Sequence, residues 1–364
     1  MQTYGIYLYP KSTFLSLPTS DTLFGAICWA IYHLWNEKKL EDILKDFTNQ
    51  RPKFILSSTF PYLVQNKCKV RFFPKPLFPQ PTSQQLAKKG MKDEIGTDDF
   101  NYKRGIVKIV ERLKEIKKAP FISESLFSQL VEGRLDLKGI YPRFKKKGAI
   151  PEDIEKIGNS LITYEEREKI DPEGKLKNLV KEIDIQRNQV DRVVGSTVEG
   201  LLFSNKEISC KGLWFLVQTD DLDFLKTVFR YLEDTGVGGE RTSGKGHFQV
   251  MEEEIFNLPK AKNPNVFVTL SRYLPTEDEL NFLNHGLSNW KLITIRPKRE
   301  SMYLVGRDRI LKDLLRVFTE GSIFSLQKHK DYYGKIEDVG NMGTYTAYHN
   351  GLAMPIFAKM GGIE

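Results

Sequence analysis

Between residues 236 and 248 the chain reads Gly236-Val-Gly238-Gly-Glu-Arg-Thr-Ser-Gly244-Lys-Gly246-His-Phe248, with glycines spaced G-x-G-x5-G-x-G and an aromatic residue two positions after the last. Glycine reaches positive φ without a Cβ penalty and lets a ligand approach the main chain closely. Arg241, Thr242, Ser243 and Lys245 stand between the glycines and add donors and positive charge. A loop of this kind offers backbone N–H groups and cations to a phosphate chain. A plain helix-to-strand turn needs one glycine, not five (Gly239 included). The loop is expected to be exposed, so that bulk at Gly244 or Gly246 costs ligand retention more than stability.

Gly239 through Lys245 also fits the G-x-x-x-x-G-K pattern of a nucleoside-triphosphate loop. The next position, which must be Ser or Thr to hold Mg²⁺, is Gly246. The order of elements is reversed as well: residues 221–234 read as a helix and 247–251 as a strand, whereas a P-loop leads from strand into helix. NTP hydrolysis at this loop is therefore not expected. The five histidines, His33, His247, His285, His329 and His349, are scattered and form neither an H-x-x-x-D nor an H-E-x-x-H spacing. No catalytic residue, metal or cofactor is expected. Cys28, Cys68 and Cys210 make no metal-ligand spacing and no disulfide framework, which implies a reducing, cytoplasmic setting. The N-terminus lacks the charged and apolar regions of a signal peptide, and no apolar run nears the ~20 residues that span a bilayer, so no membrane partner is expected.

A chain of 364 residues with 40% hydrophobic content suggests two domains with packed cores. Residues 2–9 alternate as a strand, and 23–35 carry a helical stripe of Leu23, Ile27, Ala30, Ile31 and Leu34. Ser20, Asp21 and Thr22 form an N-cap cluster before it. Strands are expected at 53–64 and 69–73, then helices at 103–118 and 121–132. This β-α-β-β-α order fits a ferredoxin-like sheet with helices on one face. Later strands fit 193–203, 211–218, 266–273, 290–296 and 352–357. Helices fit 222–232, 277–283 and 310–318. The expected fold class is α+β, with two ferredoxin-like (RRM-like) domains at 1–155 and 156–364 and a basic helical insertion at about 80–150 in the first. Residues 65–150 hold 20 lysines and arginines against 9 acidic residues, while the remainder holds 35 against 38, so one segment carries the whole excess behind the net charge of +8. That asymmetry points to a polyanion or an acidic partner, or to a solvated Lys-rich insert. Tyr4, Tyr7 and Tyr9 on the first strand read as sheet packing rather than as base-stacking platforms.

Three segments together carry a family resemblance. The loop ending Gly244-Lys-Gly246-His-Phe248 resembles the C-terminal signature loop of RAMP proteins, the ferredoxin-fold RNA binders of CRISPR systems. Ser20-Asp-Thr-Leu-Phe-Gly-Ala-Ile-Cys-Trp29 resembles the start of the first helix in the fourth Csm subunit of type III-A effector complexes. Arg187-Asn-Gln-Val-Asp-Arg192-Val-Val-Gly195-Ser-Thr-Val-Glu-Gly200-Leu-Leu-Phe203 resembles that family's central motif before a β-hairpin.

The resemblance implies a non-catalytic subunit that caps the 5′ repeat-derived handle of a CRISPR RNA (crRNA). It also implies two protein partners, the large polymerase/cyclase-type subunit and the backbone RAMP subunits. The implied RNA-binding residues are Ser20 and Thr22, with Asp21 as a cap. In the central motif they are Arg187, Asn188, Arg192, Gly195 and Ser196. In the loop they are Gly236, Gly238, Gly239, Arg241, Thr242, Ser243, Gly244, Lys245, Gly246 and His247. The physics agrees: a helix N-terminus suits a phosphate, and single-stranded RNA is read through stacking and 2′-OH contacts. The basic run Arg143-Phe-Lys-Lys-Lys147 is a candidate to follow the RNA backbone or meet a neighbouring subunit. Two rival classes are a repeat-processing RAMP endoribonuclease and a general single-stranded RNA-binding protein. The nuclease needs a histidine as general acid or base, and His33, beside the apolar stripe, reads instead as a partly buried structural residue.

Overall fold

The computed structural model describes residues 1–65, 67–79, 99–144, 148–190, 193–284, 286–298, 311–341 and 346–361. Its first strands are β1 (Gln2–Pro10), β2 (Phe54–Leu56), β3 (Phe60–Gln65), β4 (Cys68–Pro74), β5 (Phe121–Ser123), β6 (Ile154–Ile157) and β7 (Ser160–Thr163). A long hairpin, β8 (Val180–Val190) and β9 (Thr197–Cys210), precedes β10 (Leu213–Thr219) and β11 (Phe248–Ile255). The helices are α1 (Ser20–Leu34), α2 (Glu37–Thr48), α3 (Asp99–Lys118), α4 (Glu124–Val131), α5 (Leu137–Arg143), α6 (Tyr164–Ile170) and α7 (Leu222–Thr235). The chain is a mixed α+β protein, as expected.

Among the described residues, nine strands form one sheet in the order β11-β1-β10-β3-β4-β5-β7-β6, with β2 also on β10. Only the β5–β7 contact is parallel. β1 has partners on both sides from the later part of the chain: Ile6 lies opposite Phe215 and also opposite Glu253. The sheet therefore runs without a break across the residue-155 position where two halves were expected to part. Its centre reads as a continuous apolar run because both faces are covered: Ile6, Tyr7 and Leu8 are all buried, as are Leu213 to Val217. Tyr7 packs against Tyr62 and Trp214 and Tyr4 is half-buried against the core, in line with the sheet-packing reading, whereas Tyr9 is exposed.

Local signals explain the helices that cover this sheet. α1 buries Leu23, Phe24, Ile27, Ala30 and Ile31, an i, i+4, i+8 stripe. α7 opens where the Asp221 carboxylate accepts the Phe224 N–H at 3.0 Å, and it closes at Gly236, whose φ is +74°. α2 was not anticipated, although Asn36 accepts the Lys39 N–H at 2.9 Å as an N-cap and Ile43 and Phe47 are buried. Residues 121–123 belong to a strand rather than to the helix that follows.

Five of the later strands form small sheets: β12 (Val266–Thr269) lies between β15 (Ile323–Ser325) and β18 (Pro355–Ala358), and β13 (Leu292–Ile295) pairs with β14 (Leu315–Phe318). The remaining hairpin is β16 (Ile336–Asn341) with β17 (Thr346–Asn350). The helix expected at 310–318 is corrected by this pairing. Residues 315–318 are extended because β13 supplies their ladder partners, and tertiary context overrides a leucine-rich local preference. Residues 277–283 take a 3₁₀ form over Asp278–Asn284. Phe267, Tyr273, Phe318, Phe324 and Tyr333 fill this region's own core. It is fastened to the large sheet through Ser271 Oγ, which donates to the Leu56 carbonyl at 2.6 Å, and Ser58 N–H, which donates to the Leu270 carbonyl at 2.9 Å.

Of the basic insertion, the described part is α3 to α5, and Lys145 to Lys147 lie outside the described residues. Lys75, at the end of β4, is buried and donates to the carbonyls of Ile116 and Lys117 at the C-terminus of α3. Burial, with Lys117 nearby, lowers its ammonium from 10.5 to about 8. Between those two values the unfolded chain holds the proton and the folded chain does not, so this group makes stability rise with pH across that window. Its penalty is fully present below about pH 8. Lys75→Met is therefore expected to flatten the pH dependence of the urea midpoint between about pH 8 and 10.5. An unchanged slope would reassign it to other groups.

Candidate nucleic-acid interface

The glycine loop leaves α7 at Gly236 and enters β11 at Phe248. Its two ends are closed on each other: Val237 N–H donates to the Gly246 carbonyl at 2.9 Å. A Cβ on Gly246 would lie 2.1 Å from the Val237 carbonyl oxygen, and φ there is +72°. Both Gly236 and Gly246 are buried, so at Gly246 glycine is needed to bring two backbones together. The expectation that bulk there would spare stability is corrected accordingly. Gly238 and Gly244 also have positive φ but face open space.

Between those ends the loop bulges outward. Gly238, Gly239, Thr242, Ser243 and Gly244 are exposed, and Arg241 to Ser243 make one 3₁₀ turn. Glu240 takes the left-handed conformation at φ +56°. Its carbonyl accepts from Ser243 N–H at 3.1 Å and Lys245 N–H at 3.2 Å, which folds the turn on itself. The N–H groups of Gly238, Gly239, Glu240 and Thr242 enter none of the hydrogen bonds among the described residues. Successive backbone N–H groups in a turn that passes through the left-handed region can form an anion-binding concavity.

Residues 11–15, after β1, hold the loop in place. Lys11 N–H and Ser12 N–H donate to the His247 carbonyl at 2.9 and 3.3 Å, Gly246 N–H donates to the Thr13 carbonyl at 2.9 Å, and His247 N–H donates to Ser12 Oγ at 2.9 Å. On its other side the same strap exchanges two backbone hydrogen bonds between Phe14 and Ile208 of β9. The strap thus stands between the glycine loop and the β8–β9 hairpin, and both sequence motifs come to one place. No motif marked residues 11–15 beforehand. The alternation of β1 simply ends at Pro10.

The hairpin runs in register from Val180 opposite Cys210 to Asn188 opposite Leu202. Asn188, Gly195 and Ser196 are exposed toward its tip, and Arg192 lies outside the described residues. Arg187 does not project freely. Its guanidinium bonds Glu207 at 2.9 Å and Glu240 at 2.7 Å. Lys245 reaches the same Glu207 at 2.6 Å and Thr13 Oγ1 at 3.1 Å. The Glu207 side chain is entirely buried. Burial alone would raise its carboxyl, but hydrogen bonds from Lys245, Thr13 and Arg187 outweigh that and hold it below the ordinary carboxylate range. For Arg187, partial desolvation is likewise outweighed, by Glu207 and Glu240, and its pKa rises. Sequence reasoning missed Glu207, since a lone glutamate in an alternating strand carries no signal.

The start of α1 is placed differently. Thr19 is the N-cap and its hydroxyl donates to Asp21 at 2.5 Å. Ser20 is fully buried: its N–H donates to Ser58 Oγ at 2.9 Å and its Oγ accepts from Arg272 N–H at 3.0 Å. Asp21 pairs with Arg272 at 3.5 Å, and Thr22 is half-buried. The hydrogen bonds of Ser20 thus join α1 to Ser58, between β2 and β3, and to Arg272, after β12 at residues 266–269, rather than to the glycine loop. His33 is more exposed than expected and lies against the rings of Trp29 and Tyr231, on the outer side of α1 where it meets α7. Arg143, a candidate to follow RNA or meet a neighbouring subunit, bonds the Glu152 carbonyl at 2.7 Å and Gln129 at 3.1 Å.

No family model matches the chain. A curated relative from Thermococcus onnurineus, the "CRISPR system Cms protein Csm4", is 25% identical over 316 residues, covering 85% of this chain and 86% of its own. A crystal structure of a Csm3–Csm4 subcomplex of the type III-A CRISPR-Cas interference complex aligns over 99% of this chain and 100% of the solved one, with a TM-score of 0.61 and 20% identity. A Csm1–Csm4 cassette solved with pppApA aligns over 99% of each chain, with a TM-score of 0.54 and 20% identity. Over most of its length this chain is therefore similar in sequence to curated Csm4 proteins, and it shares its fold with chains solved in Csm3–Csm4 and Csm1–Csm4 complexes.

Proposed function

We propose that this chain is a non-catalytic crRNA-binding subunit of a type III-A CRISPR interference complex, in which it holds the 5′ repeat-derived handle. Its neighbours on this reading are a large Csm1-like subunit and a Csm3-like backbone subunit, because Csm4 relatives have been solved with each. The observation that carries the reading is the run of unbonded backbone N–H groups of Gly238, Gly239, Glu240 and Thr242 in an exposed loop beside the hairpin. Backbone N–H groups bind phosphate oxygens without requiring a particular base, which suits a strand end held by its sugar-phosphate chain. Asn188, Gly195, Ser196 and Arg192 would meet the nucleotides that follow. Ser20 would act indirectly by anchoring α1, and the half-buried Thr22 remains a candidate contact.

The fold supports a more specific description. β1, α1, β2 with β3, β10, α7 and β11 follow a β-α-β-β-α-β order, and in the sheet they stand as fourth, first, third and second strand. That is the ferredoxin-like arrangement. We read it as one RAMP unit assembled from both ends of the large sheet's sequence, with the glycine loop between its second helix and last strand. The strands after residue 265 would form the second unit.

The test is RNA discrimination by the assembled complex. A guide RNA with the repeat-derived 5′ tag should bind at least about tenfold more tightly than the same RNA without it, a difference of about 1.4 kcal/mol. Equal affinities would leave only a general single-strand binder. Metal-independent cleavage of repeat RNA that disappears in His33→Ala would instead support the processing nuclease.

A further inference from the structure

Two cations of the site, Lys245 in the loop and Arg187 on the hairpin, are both committed to carboxylates. Glu207 receives Lys245 and Arg187 at 2.6 and 2.9 Å, and Arg187 is also held by Glu240 at 2.7 Å. Asn205 Nδ2 donates to Glu240 at 3.3 Å, and the Thr13 hydroxyl donates to Glu207. Strap, hairpin and glycine loop therefore meet in one cluster of two cations and two carboxylates, centred on a side chain with no exposed surface. Lys245 and Arg187 keep some exposure, 17% and 25%, so they sit at the rim of the site without being free in it.

Unpaired cations beside a phosphate site attract any polyanion, regardless of sequence or strand end, and make binding steeply salt-dependent. Backbone amides act only at hydrogen-bond range and in fixed directions. A site that keeps its amides and neutralises two of its cations gives up general affinity in exchange for geometric selection. We propose that Glu207 is a specificity-determining residue, which withholds Lys245 and Arg187 from phosphate and holds the glycine loop against the hairpin, so that only a correctly placed RNA end is gripped. The proposal rests on the reading that this loop binds RNA.

The experiment uses the full-length chain in the assembled complex. Three RNAs are compared across a salt series: tagged guide RNA, the same RNA without its tag, and oligouridylate. Glu207→Gln keeps the size and an acceptor but removes the charge. It should raise affinity for untagged RNA and oligouridylate about tenfold and steepen the log–log salt slope by about 0.7 for each cation released to a phosphate. Tagged RNA should change little, so the tagged-to-untagged ratio should fall about tenfold. Glu207→Asp, which keeps the charge, should restore most of that ratio. If Glu207→Gln does not fold, Glu240→Gln, which removes one of the two carboxylates on Arg187 and leaves Lys245 paired, should steepen the slope by up to about 0.7. A melting temperature that drops while ratio and slope stay at wild-type values would make Glu207 a structural strut only and overturn the proposal. Wild-type protein indifferent to the tag would sink the functional reading and this inference together, whereas a discriminating wild type with unaltered glutamate variants sinks the inference alone.

Discussion

Gly246→Ala should destabilise the chain by about 3 kcal/mol, while Gly244→Ala, two residues away in the same loop, should cost about 1 kcal/mol. Both glycines have positive φ, +72° and +81°, so both variants carry left-handed strain. They differ in surroundings. A Cβ on Gly244 meets nothing within 4 Å, but on Gly246 it would lie 2.1 Å from the Val237 carbonyl oxygen and 3.0 Å from its carbon. Backbone cannot swing aside as a flexible side chain does, so the neck of the loop must open. Opening it breaks the Val237–Gly246 hydrogen bond of 2.9 Å and pulls Gly246 N–H from the Thr13 carbonyl, each loss worth about 1 kcal/mol. Urea denaturation of the two variants gives the comparison directly. RNA retention in the complex should fall for Gly246→Ala even well below its unfolding midpoint, because the amide row no longer sits against the strap. Equal midpoints for the two variants would mean that the neck is not closed as described.

Trp214→Ala should cost about 3–5 kcal/mol. Trp214 lies on β10, is fully buried, and is the largest side chain in the interior of the sheet. Its ring centroid is 5.0 Å from that of Phe73, 5.4 Å from Phe256, 6.1 Å from Tyr7 and 6.3 Å from Phe60. One side chain therefore joins strands β1, β3, β4 and β10, which come from distant parts of the sequence. Its indole N–H donates to the Phe72 carbonyl at 3.1 Å. Trp214→Phe keeps most of the apolar volume and loses that bond, so it should cost about 1–3 kcal/mol. Trp35→Ala provides the contrast, since Trp35 is 40% exposed at the end of α1 and leaves no sealed cavity. Similar losses for Trp214→Ala and Trp35→Ala would contradict the central position assigned to β10.

Much of the local structure was legible. The stripe of Leu23, Ile27, Ala30 and Ile31 marked α1, and Asp221 with Gly236 bracketed α7, because helix caps and periodic burial act over a few residues. Where such signals were weak or misleading, the reason is physical. Asn36, Ile43 and Phe47 carried the pattern of α2 but in a short, highly charged segment. Leu315 to Phe318 form a strand only because residues 292–295 lie alongside. The sheet's continuity from β11 through β1 to β10 was not legible either, since pairing Ile6 with Phe215 and Glu253 depends on contacts more than 200 residues apart.

The candidate site divides in the same way. Glycine spacing identified a loop whose outer part is exposed, and the hairpin motif marked its neighbour, because the positive φ at Gly238, Gly244 and Gly246 is one that glycine adopts readily. Which cations are available there was decided by the tertiary structure. Arg187 and Lys245 look alike as sequence, yet both face a buried glutamate contributed by a third segment. Likewise Ser20, read as a phosphate contact, is sealed beneath Arg272. Residue type states what a group can donate or accept. Burial and charge pairing state what it has left to offer, and those are set by chain segments that meet only when the protein has folded.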